Sequence, residues 1–126
     1  MTIQDAINQA DRMKPNMMDR GLKIRALSEL DGMIHREIIL KHVHFPWQTM
    51  FKGYDEGTDE GQELLVPYPY AEDVYTYWLM ARIDHQNMEM DKYNNDRALF
   101  DNAYETFHDY WRRNHMPLTR IREYRL

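Results

Sequence analysis

The stretch VYTYWLMARIDHQNMEMDKYNNDRALFDNAYETFHDYW, residues 74–111, decides the fold. Apolar positions recur in it at helical spacing along two stripes: Val74, Tyr77, Trp78, Ala81, His85 and Met88, then Phe100, Ala103, Tyr104, Phe107, Tyr110 and Trp111. The intervening NMEMDKYNND, residues 87–96, is polar and rich in asparagine, a composition that favours a turn. The spacing therefore predicts a third and a fourth helix joined as a hairpin. No Gly or Pro enforces the break, so one continuous helix of about 45 residues is the competing reading, although it would be long for so small a domain. Glu72 and Asp73 open the third helix where the macrodipole favours acids, and Met116-Pro117 closes the fourth.

Upstream, Pro67 and Pro69 force an extended approach to the third helix. Pro46, Gly53, Gly57 and Gly61 interrupt helical spacing through residues 44–70, a connection far longer than the usual ~4–6 residues. The apolar flanks of this loop, with Phe45, Trp47, Met50 and Phe51 before and Leu64, Leu65 and Val66 after, could pair as a small hairpin. Its acidic tip YDEGTDEGQE, residues 54–63, would then stand in solvent and is expected to be mobile. Before the loop, Asp19 can cap a second helix whose inner face reads Leu22, Ala26, Leu27, Leu30, Met33, Ile34 and Ile38 and which should run to about His42. Thr2 and Asp5 form a capping-box-like start to a first helix carrying Ile3, Ala6, Ile7 and Ala10 inward, stopped by Pro15 and Asn16. The expectation is one all-α domain of four helices over residues 1–126. Residues 116–126 follow as an extended tail, in which Arg120, Arg122 and Arg125 alternate with Ile121 and Tyr124.

The chain has 126 residues and no cysteine, which leaves little room for a second core and excludes a disulfide framework or thiolate metal site. With 29% charged residues and a mean hydropathy of −0.82, it holds no apolar run long enough to cross a membrane, and its first residues lack the pattern of a secretory signal. A soluble cytosolic protein is expected. The net charge of −5 is unevenly spread: residues 1–110 carry 11 Lys and Arg against 20 Asp and Glu, whereas residues 111–126 carry five arginines against Glu123. An acidic body argues against wrapping nucleic acid, which requires a basic face to neutralise phosphates. A basic tail suits an acidic target, including the body of a second copy.

Six histidines invite a metal reading. Glu105 and His108 form an E-x-x-H pair as in carboxylate-bridged di-iron bundles, but the second pair and the further glutamates such bundles need are missing. His35, His42 and His44 have no further ligand at helical spacing. Counting a calcium loop from Asp55 puts Glu60 where glycine is needed and Val66 where a bidentate glutamate is needed. There is no phosphate-cradling glycine loop, no G-x-S-x-G and no pair of carboxylates that reads as buried beside a base. The reading is a non-enzymatic protein with no catalytic residue, no metal and no cofactor.

What remains is surface. The chain carries three Trp, nine Tyr and four Phe, types that serve both cores and interfaces. Trp78, Phe100, Phe107 and Trp111 read as core. Tyr68, Tyr70 and Tyr75 flank the prolines on a face opposite the core stripe and are candidate contacts, together with Trp47 and Phe51 of the loop and Arg113, Arg120, Arg122, Tyr124 and Arg125 at the C-terminal end. Asp101, Glu105 and Asp109 form a solvated helix stripe, with Asp109 expected to pair with Arg113, and His85 with Glu89.

Three segments, LSELDGMIHREI (27–38), ELLVPYPYAEDVY (63–75) and DKYNNDRALFDNAYETFHDYWRRNHMP (91–117), resemble the head–tail connector (adaptor) proteins encoded in the structural-gene region of tailed phages and prophages of Gram-positive bacteria. The segments fall in order across nearly the whole chain, and their motifs are structural, without a catalytic signature. The resemblance implies a helical adaptor that joins the portal at the capsid vertex as a closed ring of about a dozen copies. It implies a portal protein and a tail-completion or stopper protein as partners, and a location in the virion neck after assembly in the host cytoplasm. The loop 44–70 would make contacts around the ring, and the segment 116–126 would reach the portal. The chain departs from the pattern at Met88, where many relatives carry glycine near the end of the third helix. Alternatives are another neck or tail-completion protein, a small cytosolic helical binding module of regulatory or stress-related type, and, more remotely, a metal-dependent helical-bundle enzyme.

Overall fold

The computed structural model describes residues 1–118, the side chain of Trp47 excepted. Within them the chain forms α1 (Ile3–Met13), α2 (Arg20–Ile34), α3 (Ala71–Gln86) and α4 (Met90–Asn114), with no named strand among the described residues. The expected all-α four-helix architecture is the observed one.

Local chemistry explains the helix starts. The Asp5 backbone N–H donates to Thr2 Oγ1 (3.1 Å) while the Thr2 N–H donates to Asp5 Oδ2 (3.2 Å), a complete capping box. Ile3, Ala6, Ile7 and Ala10 of α1 are buried as their spacing requires. Asp19 caps α2 by accepting from the Gly21 N–H. The α-helical part of α2 ends at Ile34 rather than near His42, because residues His35–Ile39 continue it as one π turn closed by Leu40 N–H to the His35 carbonyl (3.0 Å). The wider turn carries His35, whose Nε2 meets the Gln48 carbonyl oxygen at 2.7 Å.

α3 is the hub, packed against α1, α2 and α4. Tyr75, Leu79 and Ile83 are fully buried in addition to Val74, Trp78 and Ala81, whereas His85 and Met88 lie outside. A helix covered on three sides has little hydrophobic periodicity, so a one-face pattern recovers only part of its core. α4 has one buried side, and there the pattern holds: Phe100, Phe107 and Trp111 are buried, with the Trp78 and Phe100 ring centroids 5.0 Å apart.

The hairpin, not the continuous helix, joins α3 to α4. The break occupies residues 87–89 alone, and Lys92, Tyr93, Asn95 and Asp96 are already helical. Met88 N–H donates to the His85 carbonyl (3.2 Å) and Glu89 N–H to the Asp84 carbonyl (3.0 Å), the double closure of a Schellman motif. The motif requires a left-handed residue, and Met88 supplies it with φ 59°. A residue with a Cβ bears roughly 1–2 kcal/mol of strain there, which explains why the position favours glycine.

The loop flanks do not pair with each other. Ile3 N–H instead donates to the Gln62 carbonyl (3.0 Å), Gln4 N–H to the Glu60 carbonyl (3.1 Å) and Leu64 N–H to the Met1 carbonyl (2.9 Å). The first N–H groups of α1 have no intrahelical partner, and the second half of the loop satisfies them better than a hairpin would. The tip is also anchored by polar groups. Asp55 and Asp59 accept from the N–H groups of Gly57 and Gly61, and Tyr54 N–H donates to Ser28 Oγ (2.9 Å). Gly53 precedes it at φ 80°, with Ser28 Oγ only 3.1 Å from where a Cβ would stand.

Candidate functional site

Asp31 faces the core from α2 and is fully buried. Its Oδ1 accepts from the Tyr75 hydroxyl (2.5 Å), and its Oδ2 accepts from the Tyr54 hydroxyl (2.7 Å) and the Leu65 N–H (3.1 Å). The Tyr75 hydroxyl in turn accepts from the Val66 N–H (2.9 Å). One carboxylate thus holds α2, α3 and both halves of the long loop. Burial pushes the Asp31 pKa up to about 6, and the two tyrosine hydroxyls and the Leu65 amide keep it from rising further. Burial and the neighbouring Asp31 charge raise both Tyr54 and Tyr75, so each hydroxyl remains a donor.

This network corrects one expectation. Tyr75 is not an exposed contact; it faces inward because it lies one turn before Leu79 on the core side of α3. Tyr70 is half-buried, its ring centroid 4.8 Å from that of Tyr110, so it also belongs to the packing. Phe51 packs edge-on to Tyr54 and beside His35. Tyr68 is 91% exposed, on the rim of a cleft of about 350 Å³ between α1 and the start of α3, which Asn8, Gln9 and Arg12 also line. Arg113 is exposed as expected, but Asp109 pairs with Arg112 instead, at i+3 rather than i+4. Glu89 pairs with Lys92, and His85 meets the Tyr93 ring edge-on. The side chain of Trp47 and all of Arg120, Arg122, Tyr124 and Arg125 lie outside the described residues.

A second buried polar cluster had no sequence-level expectation. Lys14, just past α1, donates to Asp84 of α3 and to Asp96 of α4 (3.0 Å), both carboxylates being nearly inaccessible. Burial works against the Lys14 charge, but hydrogen bonds to the two carboxylates outweigh it and raise its pKa. Asp84 is pushed up to about 6, first by burial and then by Asp96 beside it. Among the described residues Asp84 Oδ2 has no hydrogen-bond partner. Lys14 occupies the place between the two carboxylates that a cation would take.

Between α3 and α4 a cleft of about 180 Å³ is lined by Trp78, Arg82, His85, Tyr93 and Arg97. Arg82 and Arg97 cover the Trp78 ring at 4.8 and 5.6 Å from its centroid, and they pair with Glu29 and Asp101. Both guanidinium groups therefore serve the packing. Among the described residues no three His, Asp or Glu side chains converge as metal ligands, and no helix is long and apolar enough to cross a membrane. His108 does not pair with Glu105 but meets the His42 ring edge-on, and burial lowers its pKa.

The start of the tail is fixed. Val43 N–H donates to the Met116 carbonyl (2.8 Å) and Leu118 N–H to the Lys41 carbonyl (3.1 Å), so the chain leaves the body beside the end of the π turn. No family model, curated protein or solved structure matches the chain. The geometry therefore stands by itself: buried carboxylates that clamp the helices and the loop, and an acidic body with a basic segment issuing from one end.

Proposed function

We propose that the chain is a structural, non-enzymatic head–tail connector of a tailed phage, seated in the virion neck between the portal and a tail-completion or stopper protein as a closed ring of about a dozen copies. The observation that carries this reading is the Asp31 network. Asp31 belongs to the first of the segments that resemble connectors, and Leu65, Val66 and Tyr75 belong to the second. The shared residues therefore act together as the clamp that presents the loop 44–70, the part to which the resemblance assigns contacts around the ring. A loop held in advance loses little entropy on binding.

Charge supports the same reading. Closing a ring takes two unlike patches that meet head to tail, and this molecule offers an acidic body and an arginine-rich end. The test is pull-down of the full chain, and of a chain lacking residues 117–126, by the portal protein encoded beside it, at low and high salt. The full chain should bind and weaken as salt rises, because exposed ion pairs are screened over ~8 Å at physiological ionic strength. Undiminished binding by the truncated chain, or no binding by either at low salt, contradicts the proposal.

A further inference from the structure

The end of the molecule at which the tail begins differs from the acidic remainder. There Val43 is 41% exposed, Phe45 59%, Met50 75% and Met116 48%. Backbone bonds hold this region in shape. Val43 N–H donates to the Met116 carbonyl, Gln48 N–H closes the turn Pro46–Gln48 on the Phe45 carbonyl, and the Gln48 carbonyl meets His35 Nε2. Exposed large apolar side chains on one ordered stretch mark a contact surface. The charges around them have a surplus of one sign. Segments 41–52 and 112–118 contain Lys41, Lys52, Arg112 and Arg113 and no carboxylate. Arg36 joins them from the π turn, its guanidinium and the Phe51 ring both lying against Gly32. The bordering carboxylates are Glu37, Glu105 and Asp109, of which Glu37 accepts from the Tyr104 hydroxyl and Asp109 pairs with Arg112. Among the described residues Arg36, Lys41, Lys52 and Arg113 make no ion pair, and of the other lysines and arginines only Arg12 and Arg25 make none.

We propose that this end is the docking surface for an acidic protein segment that carries apolar side chains. Unpaired cations around an apolar centre form one half of a complementary interface; carboxylates supply the other half, and apolar side chains cover Val43, Met50 and Met116. The chain's own C-terminal segment does not have that chemistry. Residues 119–126 carry Arg120, Arg122 and Arg125 against Glu123, so they add to the positive field at their base instead of neutralising it. The acidic loop tip of a second copy is already engaged: Asp55 and Asp59 accept from their own turns, and Glu60 and Glu63 pair with Arg20 and the N-terminal amine. Nucleic acid would match the cations but leave the apolar centre without a counterpart. This inference deepens the connector reading and rests on it for the partner, since in that reading the acidic segment belongs to the portal.

The methionines report on the surface directly. The full chain, labelled with carbon-13 at the methionine methyls, is titrated with a synthetic peptide of glutamate and leucine and followed by NMR, with a lysine and leucine peptide and a duplex oligonucleotide as the comparisons. The acidic peptide should shift the resonances of Met50 and Met116, leave those of exposed Met17 and Met88 in place, and lose affinity as salt rises. The basic peptide should shift none of them. Two double variants divide the contributions: Val43→Ser with Met50→Ser removes apolar area, and Lys52→Glu with Arg113→Glu reverses charge. Each should weaken the acidic peptide by about tenfold with an unchanged melting temperature. Equal shifts with the basic peptide, tighter binding of the oligonucleotide at the same methionines, shifts centred on Met17 and Met88, or no shift at all would each overturn the proposal. Because this experiment contains no portal, its failure leaves the connector reading to stand or fall on portal binding.

Discussion

Met88 and Asp31 show how single residues decide this fold. At Met88 the backbone demands a conformation its side chain resists, so Met88→Gly should raise stability by about 1 kcal/mol, read as a higher midpoint in denaturant. An unchanged or lower midpoint would mean that the methionine contributes to the body after all. Asp31 gives a pH signature. Its pKa is about 6 in the folded chain against the ordinary aspartate value of 3.8, so the folded state holds this proton more tightly. The stability it contributes is complete below about pH 4, falls as pH rises to about 6 and is level above, by about 3 kcal/mol in all. Unfolding of the parent and of Asp31→Asn across pH 4–7 measures this as a difference that changes with pH, and a constant difference would contradict the assignment. Neither residue was fully legible. Asp31 stands on the core stripe of α2 between Leu27 and Ile34, and a carboxylate in that phase was the available signal for a buried polar anchor. Its partners come from distant parts of the chain, which periodicity does not encode.

Among the elements, α1 and α4 were readable because each buries one side: Thr2 with Asp5 fixed the start of α1, and Phe100, Phe107 and Trp111 fixed the phase of α4. α3 was readable as a helix but not in its burial, since three neighbours cover it. Trp78 and Phe107 are buried on the α3 and α4 sides as their spacing indicated, and truncating either to alanine should cost ~3–5 kcal/mol. Loss of Lys14 tests the other clamp. Lys14→Met leaves Asp84 and Asp96 buried without their cation, which should destabilise by about 3–5 kcal/mol near neutral pH and by less below about pH 6, where the pair takes up a proton. Thermal melts at pH 5 and pH 7.5 compare the two, and equal losses would argue against a shared charge cluster. The long loop was legible as a loop only. Its hairpin was expected from two apolar flanks, but the N–H groups opening α1 are stronger claimants for its backbone, and backbone amide exchange should accordingly be slow at Ile3 and Gln4.

At the scale of the whole molecule, charge and architecture carry the functional argument together. The fold is a set of helices around α3, the architecture that the helical spacing implies, and among the described residues no three His, Asp or Glu side chains converge as metal ligands. The candidate contacts divided differently: Tyr68 and Arg113 lie at the surface, while Tyr75 proved to be the inner partner of Asp31. What composition did convey was polarity, an acidic body against an arginine-rich end. The measurement that tests the central claim most directly is the mass of the assembly formed when the full chain is mixed at low salt with the portal protein that the connector proposal requires. The account predicts one discrete complex containing a closed ring of about a dozen chains on each portal, lost when residues 117–126 are removed. A chain that stays apart from the portal at every concentration and salt would contradict it.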